Sequence, residues 1–289
     1  MASELWVCNV GQIDYRSALA LQNRLRAARE QELIPDTLLL LEHNPPVYTR
    51  GRRSTAEELN MGEAFYAAKG IEIIETNRGG KVTYHGPGQL VGYPIVRVGD
   101  VVAYVRLLEQ ALVGALAELG IDARVRTEEG PAYTGVWVQE RKIASIGVHV
   151  ARGVTTHGFA INVDNDLTPF TWIVACGLPS VTMTSIAAET NSESAASELP
   201  SLVGEAADQQ TSGTILPVGL EPASPRLIHF RERAAIALAQ GLGHHQRLVT
   251  LEHIEAYATR ADQADTEDLA SSVAAIRNVE TRRAASPVS

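Results

Sequence analysis

Two residues of this 289-residue chain have types and settings suited to covalent catalysis: Cys176 in WIVACGLPS and Lys142 in QERKIASIG. Cys176 follows an apolar, strand-like run and precedes Gly177, so a nucleophile there would leave room for an approaching substrate. A free thiol has a pKa of ~8.5 and is only a few per cent thiolate at neutral pH, so a reactive cysteine needs a cation beside it. Lys142 could be that cation. The run KIASIGV reads as a strand, which would hold the aliphatic stem while the amine points into a cavity. The same residues admit plainer readings: a buried cysteine acting as a small hydrophobe, and a lysine guarding a sheet edge. Cys8, inside the strand-like ELWVCNV, suits the plainer reading better.

The stretch RGGKVTYHGPGQLVGYPI (78–95) is the least ordinary in composition. Gly79, Gly80, Gly86 and Gly88, with Pro87, surround Thr83, Tyr84 and His85. Such a loop lets backbone N–H groups and small side chains line a narrow slot. It has no GK[ST] and is not a Walker A loop, and GPGQLVG departs from the dinucleotide fingerprint in glycine spacing. A tunnel for a linear apolar chain is compatible with it. His43, His85, His149 and His157 could act as acids or bases, or simply as structural hydrogen-bonders. None has a second His or Cys at metal-ligand spacing, so no metal site is expected.

The elements that would position these residues are legible from periodicity. Strands are expected at 4–10, 37–43, 71–77 and 89–98, with GVWVQ, KIASIGVHV and THGFAINV forming further strands turned by ARGVT, where Gly153 supplies flexibility. A helix after Asp14 places Ala18, Leu21, Leu25 and Ala28 on one face. Asp100 caps a second helix striped by Tyr104, Leu108, Leu112, Leu116 and Leu119, with Gly120 ending it. Pro45 and Pro46 must interrupt regular structure. The chemistry-bearing region therefore occupies residues 1–188. Residues 189–224, rich in Ser, Ala, Glu, Thr and Gly, read as a disordered insert. A helical pattern returns within 225–255, with Leu227, Phe230, Ala234 and Leu238 in phase, and LVTLEHIEAY adds a strand or a helical turn. Residues 256–289 read as a loose tail.

Bulk properties narrow the class. Hydrophobic residues make up 45% of the chain, aromatics 5%, and the net charge is −9, which argues against a nucleic-acid-binding protein. Two cysteines fit a reducing compartment. No basic-then-apolar leader and no run of about 18 apolar residues is present, so the expectation is a cytoplasmic protein with no membrane span. Against the acidic background, Arg50, Arg52 and Arg53 crowd together, and Arg78 and Lys81 flank the glycine loop. A basic mouth on an acidic protein suits an acidic partner, unless these side chains are merely solvated.

The blocks RGGKVTYHGPGQLVGYPI, KIASIGV, THGFAINV, and ACGL followed by TS resemble the signature blocks of the lipoyl(octanoyl) transferase family, in order and spacing, from about residue 5 to about 188. The resemblance implies an α/β (α+β) fold: a mixed β-sheet flanked by helices, similar to the catalytic domain of biotin and lipoate protein ligases. It implies a cytoplasmic acyltransferase that moves octanoyl from acyl carrier protein to the lysine of lipoyl domains, in 2-oxoacid dehydrogenase complexes and in the glycine cleavage H protein. No cofactor is implied beyond the donor's phosphopantetheine. Cys176 would be the acyl-thioester nucleophile, and Lys142 its activating cation and proton relay. Arg78, Gly79, Gly80, Lys81, Val82, Thr83, Tyr84 and His85 would line the substrate slot, with Ser145, Ile146, Gly147, Gly158, Phe159 and Ala160. The family usually has proline before the cysteine; here it is Ala175. An ATP-dependent ligase of the same fold, a non-catalytic acyl-chain or carrier-binding module, and a cysteine hydrolase using a histidine are the competing readings.

Overall fold

The run DTLLLLEH forms strand β2 (Asp36–His43), buried along its whole length because the sheet continues on both sides. In the computed structural model, which describes residues 4–190, 223–257 and 259, β2 lies parallel to β1 (Glu4–Ile13) and antiparallel to β6 (Gln89–Ile95). The sheet continues through β9 (Val154–Asn162) and β8 (Arg141–Ala151) to the two-residue β10 (Thr182–Met183), while β11 (His245–Val249) lies outside β1. Strand β7 (Gly135–Val138) also pairs with β8. A second sheet has the order β4-β3-β5, from Glu72–Glu75, Val47–Arg50 and Thr83–His85.

Period-2 alternation sorts the side chains of the main sheet into two cores. On one face, Trp6, Cys8, Leu39, Leu41 and Val91 meet α1 (Tyr15–Glu30) through Ala18, Leu21, Leu25 and Ala28. On the other, Leu5, Val7, Leu38, Leu40 and Leu90 meet α3 (Val101–Ala117) and α5 (Pro225–Leu242). Each fully buried leucine contributes about 1.5–3 kcal/mol, so the helices are held by these stripes. The starts of α1 and α3 are capped as the sequence suggests. Asp14 accepts from Ser17 N–H, and Asp100 from Val102 and Ala103 N–H. Ser224 caps α5 with Pro225 behind it. Two short helices, α2 (Glu63–Ala68) and α4 (Ile186–Thr190), lie between these elements.

Several boundaries differ from the sequence reading. The strand expected at 71–77 is β4, residues 72–75, and that at 89–98 stops at Ile95. Strand β3 starts just after the prolines, and β5 lies inside the glycine-rich stretch, where only a loop was expected. LVTLEHIEAY divides: Leu248 and Val249 end β11, and 251–257 are helical. The insert and tail expected at 189–224 and 256–289 fall for the most part outside the described residues. No described helix is long and apolar enough to cross a membrane.

Candidate active site

Lys142 sits one residue into β8, between β7 and β10, and is 1% exposed. The plain reading of an edge-strand charge is therefore overturned. Its ammonium donates to the carbonyl of Thr134 at 2.9 Å and lies 5.3 Å from the centroid of the Trp137 ring. Its third contact is the Sγ of Cys176 at 3.2 Å. A buried lysine is tolerated only when its charge is partnered, and here an oxygen, a π-face and a sulfur supply the partners. Ser145 Oγ lies 3.8 Å from the same sulfur.

Cys176 does not follow a strand. The apolar run before it bends into a 3-10 turn, Ala175–Gly177, in which Cys176 itself adopts φ 58° and ψ 10°. Side chains that suggested a strand serve as anchors instead: Ile173 and Ala175 pack with Tyr48, Tyr66, Val82 and Phe170. A non-glycine residue in the left-handed region costs about 1–2 kcal/mol, so the turn must be held from outside. Cys176 N–H donates to Val82 O at 3.1 Å, and Gly177 N–H to Val174 O at 3.1 Å.

Lys142 and Cys176 open onto a cavity of about 1020 Å³. Of the residues expected to bind substrate, Arg78, Gly79, Gly80, Lys81, Val82, Thr83 and His85 line it, as do Ser145, Ile146, Gly147, Gly158, Phe159 and Ala160. Tyr84 does not. In β5, Thr83 and His85 face the cavity, while Tyr84 points the other way into the aromatic cluster with Tyr48 and Phe170. Glycine is required where backbones converge: a Cβ on Gly147 would lie 2.8 Å from Gly79 O, and one on Gly158 would lie 2.3 Å from Gly92 O.

Arg78 is buried and turns its guanidinium onto Thr49 O and Oγ1 and Gly79 O. Burial lowers its pKa from the ordinary arginine value. The exposed Arg52 and Arg53 border the cavity, whereas Arg50 turns away to pair with Glu75 at 2.6 Å. Sequence reasoning missed Tyr15, Tyr93 and Thr134, and the first turns of α3, where Val101, Val102, Val105 and Arg106 join the lining.

The histidines are not the sulfur's partners. No described histidine is hydrogen-bonded to Cys176, which removes the support for a cysteine–histidine hydrolase. His43 is tied to Tyr93 OH at 2.7 Å, His85 to Gln89 Oε1 at 2.8 Å and His157 to Asn77 Oδ1 at 2.7 Å. His149 lies outside the lining, its pKa lowered by partial burial and by Arg52. Burial pushes His43 down to about 4 and His157 to about 3, and holds His85 well below the usual range. These rings are neutral in the fold at neutral pH but bind protons near ~6.5 once unfolded. Stability is thus full above that pH and falls as pH drops from ~6.5 towards 4, by about 1.4 kcal/mol per pH unit for each ring. Urea unfolding at pH 7.5 and 5.5 measures this; an unchanged midpoint would mean that the rings already carry protons in the fold.

The arrangement places a half-buried thiol, a buried amine and a mixed polar and apolar cavity at one point. Among the described residues, no group of three His, Cys, Asp or Glu is placed to hold a metal ion. The lipoyl protein ligase A/B catalytic domain profile matches residues 14–206. An octanoyltransferase of Solibacter usitatus is 55% identical over 174 residues, covering 58% of this chain and 76% of the relative. An octanoyltransferase of Mycobacterium ulcerans is 45% identical over 228 residues, covering 75% and 91%. Among solved structures, a lipoate-protein ligase A bound with ATP aligns with a TM-score of 0.61 at 17% identity, over 90% of this chain and 94% of that one. A bipartite lipoate protein ligase of Thermoplasma acidophilum gives 0.59 at 16%, over 90% and 91%. At those identities the structural likeness shows the fold, and the relatives carry the family: this chain belongs to the octanoyltransferases of the lipoyl protein ligase A/B catalytic-domain family.

Proposed function

We propose that the protein transfers an octanoyl group from acyl carrier protein to the lysine of lipoyl domains in two half-reactions, through a thioester on Cys176. The observation that carries this reading is the 3.2 Å contact between the buried Lys142 amine and the half-buried Cys176 thiol, both facing the cavity. An ammonium at that distance stabilises a thiolate. The thiolate attacks the carbonyl carbon of the donor thioester, and the C–S bond to the phosphopantetheine arm breaks. The departing thiolate takes the proton of Lys142, leaving a neutral amine and an acyl-enzyme. The acceptor lysine, having lost its ammonium proton to solvent, attacks the Cys176 thioester as the neutral amine and gives its surplus proton to the Lys142 amine. Sulfur leaves as thiolate, beside the restored ammonium.

The tetrahedral oxyanion needs donors. The N–H groups of Cys176 and Gly177 are already engaged, so the candidates are Lys142 itself and the N–H groups of Gly80 and Lys81 in the lining. The donor thioester is already activated, so no ATP enters the scheme. Acyl carrier proteins are acidic, and they suit a rim carrying Arg52 and Arg53, which have no ion-pair partner among the described residues. Lipoyl domains of 2-oxoacid dehydrogenase complexes and the glycine cleavage H protein are the acceptors, and the reaction belongs in the cytoplasm.

The deciding experiment is intact-protein mass spectrometry after incubation with octanoyl-carrier protein. The wild type should gain about 126 Da, the mass of one octanoyl group in a thioester, in a form removed by hydroxylamine. Cys176→Ser should not. Transfer to a lipoyl domain without any adduct would replace the covalent route with direct attack of the acceptor on the donor.

A further inference from the structure

A buried carboxylate that the acyl-transfer scheme does not use stands behind the turn that carries the nucleophile. Glu58 ends the short 3-10 turn Ala56–Glu58 and is 3% exposed. One of its carboxylate oxygens lies 2.8 Å from Lys81 Nζ. The other accepts the N–H of Val82 at 3.2 Å, and its main-chain carbonyl accepts the N–H of Val174 at 2.9 Å. Val82 in turn receives the N–H of Cys176 at 3.1 Å. The stem of Lys81 crosses Gly177 so closely that a Cβ there would lie 2.3 Å from Lys81 Cδ.

One residue is thus bonded to both approaches to the cysteine: to Val174 before it, and through Lys81 and Val82 to the segment that holds it. The need for such a holder is visible in the backbone. Cys176 is left-handed, a state that persists in a non-glycine residue only where the surroundings impose it. Ala175, which precedes it, places no special restriction on φ.

The geometry points to Glu58 as a positioning residue: through Lys81 and Val82 it fixes where the Cys176 sulfur sits relative to Lys142. It touches no substrate in this assignment. The inference rests on the acyl-enzyme reading above, and its test is arranged so that the two can fail separately.

The two links of the carboxylate are separable by substitution. Glu58→Gln keeps an amide oxygen for Val82 N–H and loses the ion pair; Glu58→Ala loses both; Lys81→Met loses the ion pair alone. The rate of acyl-enzyme formation is followed by intact mass over a range of octanoyl-carrier protein concentrations, with melting temperatures recorded alongside. A misplacement of ~1 Å at a reacting centre can cost ~100-fold, so Glu58→Ala should lose about tenfold or more of its saturating rate. The half-saturating donor concentration should stay within about twofold, a split that general destabilisation does not produce. Glu58→Gln should recover part of the rate. The double variant Glu58→Gln/Lys81→Met should be no slower than the slower single variant, because the two side chains act as one unit.

A second readout needs no acyl donor: the pH midpoint for alkylation of Cys176 by iodoacetamide should move in Glu58→Gln, since it reports the sulfur's separation from Lys142. An unchanged saturating rate in folded Glu58→Ala overturns the proposal, as does an alkylation midpoint in Glu58→Gln equal to that of the wild type. If Glu58→Ala does not fold, Glu58→Gln and Lys81→Met decide. If the wild type forms no adduct, the acyl-enzyme reading fails and the alkylation midpoint still decides the role of Glu58.

Discussion

Lys142→Met is expected to slow both half-reactions by about 10²- to 10⁴-fold, the range over which a positioned acid–base group acts, while the protein remains folded. Methionine fills most of the same volume, and exchanging a buried charge for a well-packed apolar side chain is often neutral or stabilising. What disappears is the ammonium 3.2 Å from Cys176 Sγ. On the proposed route, acylation loses the cation that holds the Cys176 thiolate and protonates the departing thiolate. Deacylation loses the base that receives the acceptor's proton. Single-turnover assays with donor alone, and with isolated acyl-enzyme plus acceptor, separate the two. A variant that acylates normally and fails only with acceptor would leave Lys142 a base without a role in forming the thiolate.

Gly135→Ala should be damaging in a different way. Gly135 opens β7 with φ 133°. A Cβ there would lie 2.4 Å from Ala144 O and 2.7 Å from Lys142 Cε. The carbonyl belongs to the paired neighbour β8 and cannot withdraw. The N–H of Gly135 donates to the buried Glu109 of α3 at 2.9 Å, so the strand end cannot easily shift. Overpacking costs about 1–3 kcal/mol and a disallowed φ a further ~1–3 kcal/mol. A loss of about 2–6 kcal/mol of stability is therefore expected, with the lysine pushed off the sulfur and transfer lost in the molecules that still fold. Gly99→Ala, where a Cβ meets nothing within 4 Å, is the control. Comparable urea midpoints for the two variants would show that the Lys142 pocket gives way more easily than its contacts suggest.

Much of this site could be read from sequence because its parts lie on strongly patterned elements. The stripes of α1 and α3, their aspartate caps and the hairpin at Arg152 and Gly153 are local properties. They needed no knowledge of the rest of the chain. What escaped was set by distant partners. Thr83–His85 is a strand only because Val47–Thr49 pairs with it; read as a loop, it offers no alternation, and Tyr84 was counted with its neighbours in the slot. Cys176 looked like the end of a strand because Ile173 and Val174 are β-branched, yet Ile173 is an anchor in a cluster assembled from four separate segments. The Thr134 carbonyl and the Trp137 ring around Lys142 carry no motif at all. The same holds for Glu58, whose neighbours in sequence suggest only an acidic surface turn.

The pairing of β1 with β11 has a bearing on how the chain acquires its shape. Glu4 lies opposite His245 in parallel register, so β1 waits for a strand made much later in synthesis to complete its hydrogen bonds. Over the same interval the face of α3 that receives Leu227, Phe230 and Leu238 has nothing against it. Loop closure over such a separation is slow, and an uncovered strand edge is a template for association with other chains. A product shortened before α5 would keep both chemical groups of the site and lose the cover of its sheet. Its failing would then be one of solubility during synthesis rather than of catalysis.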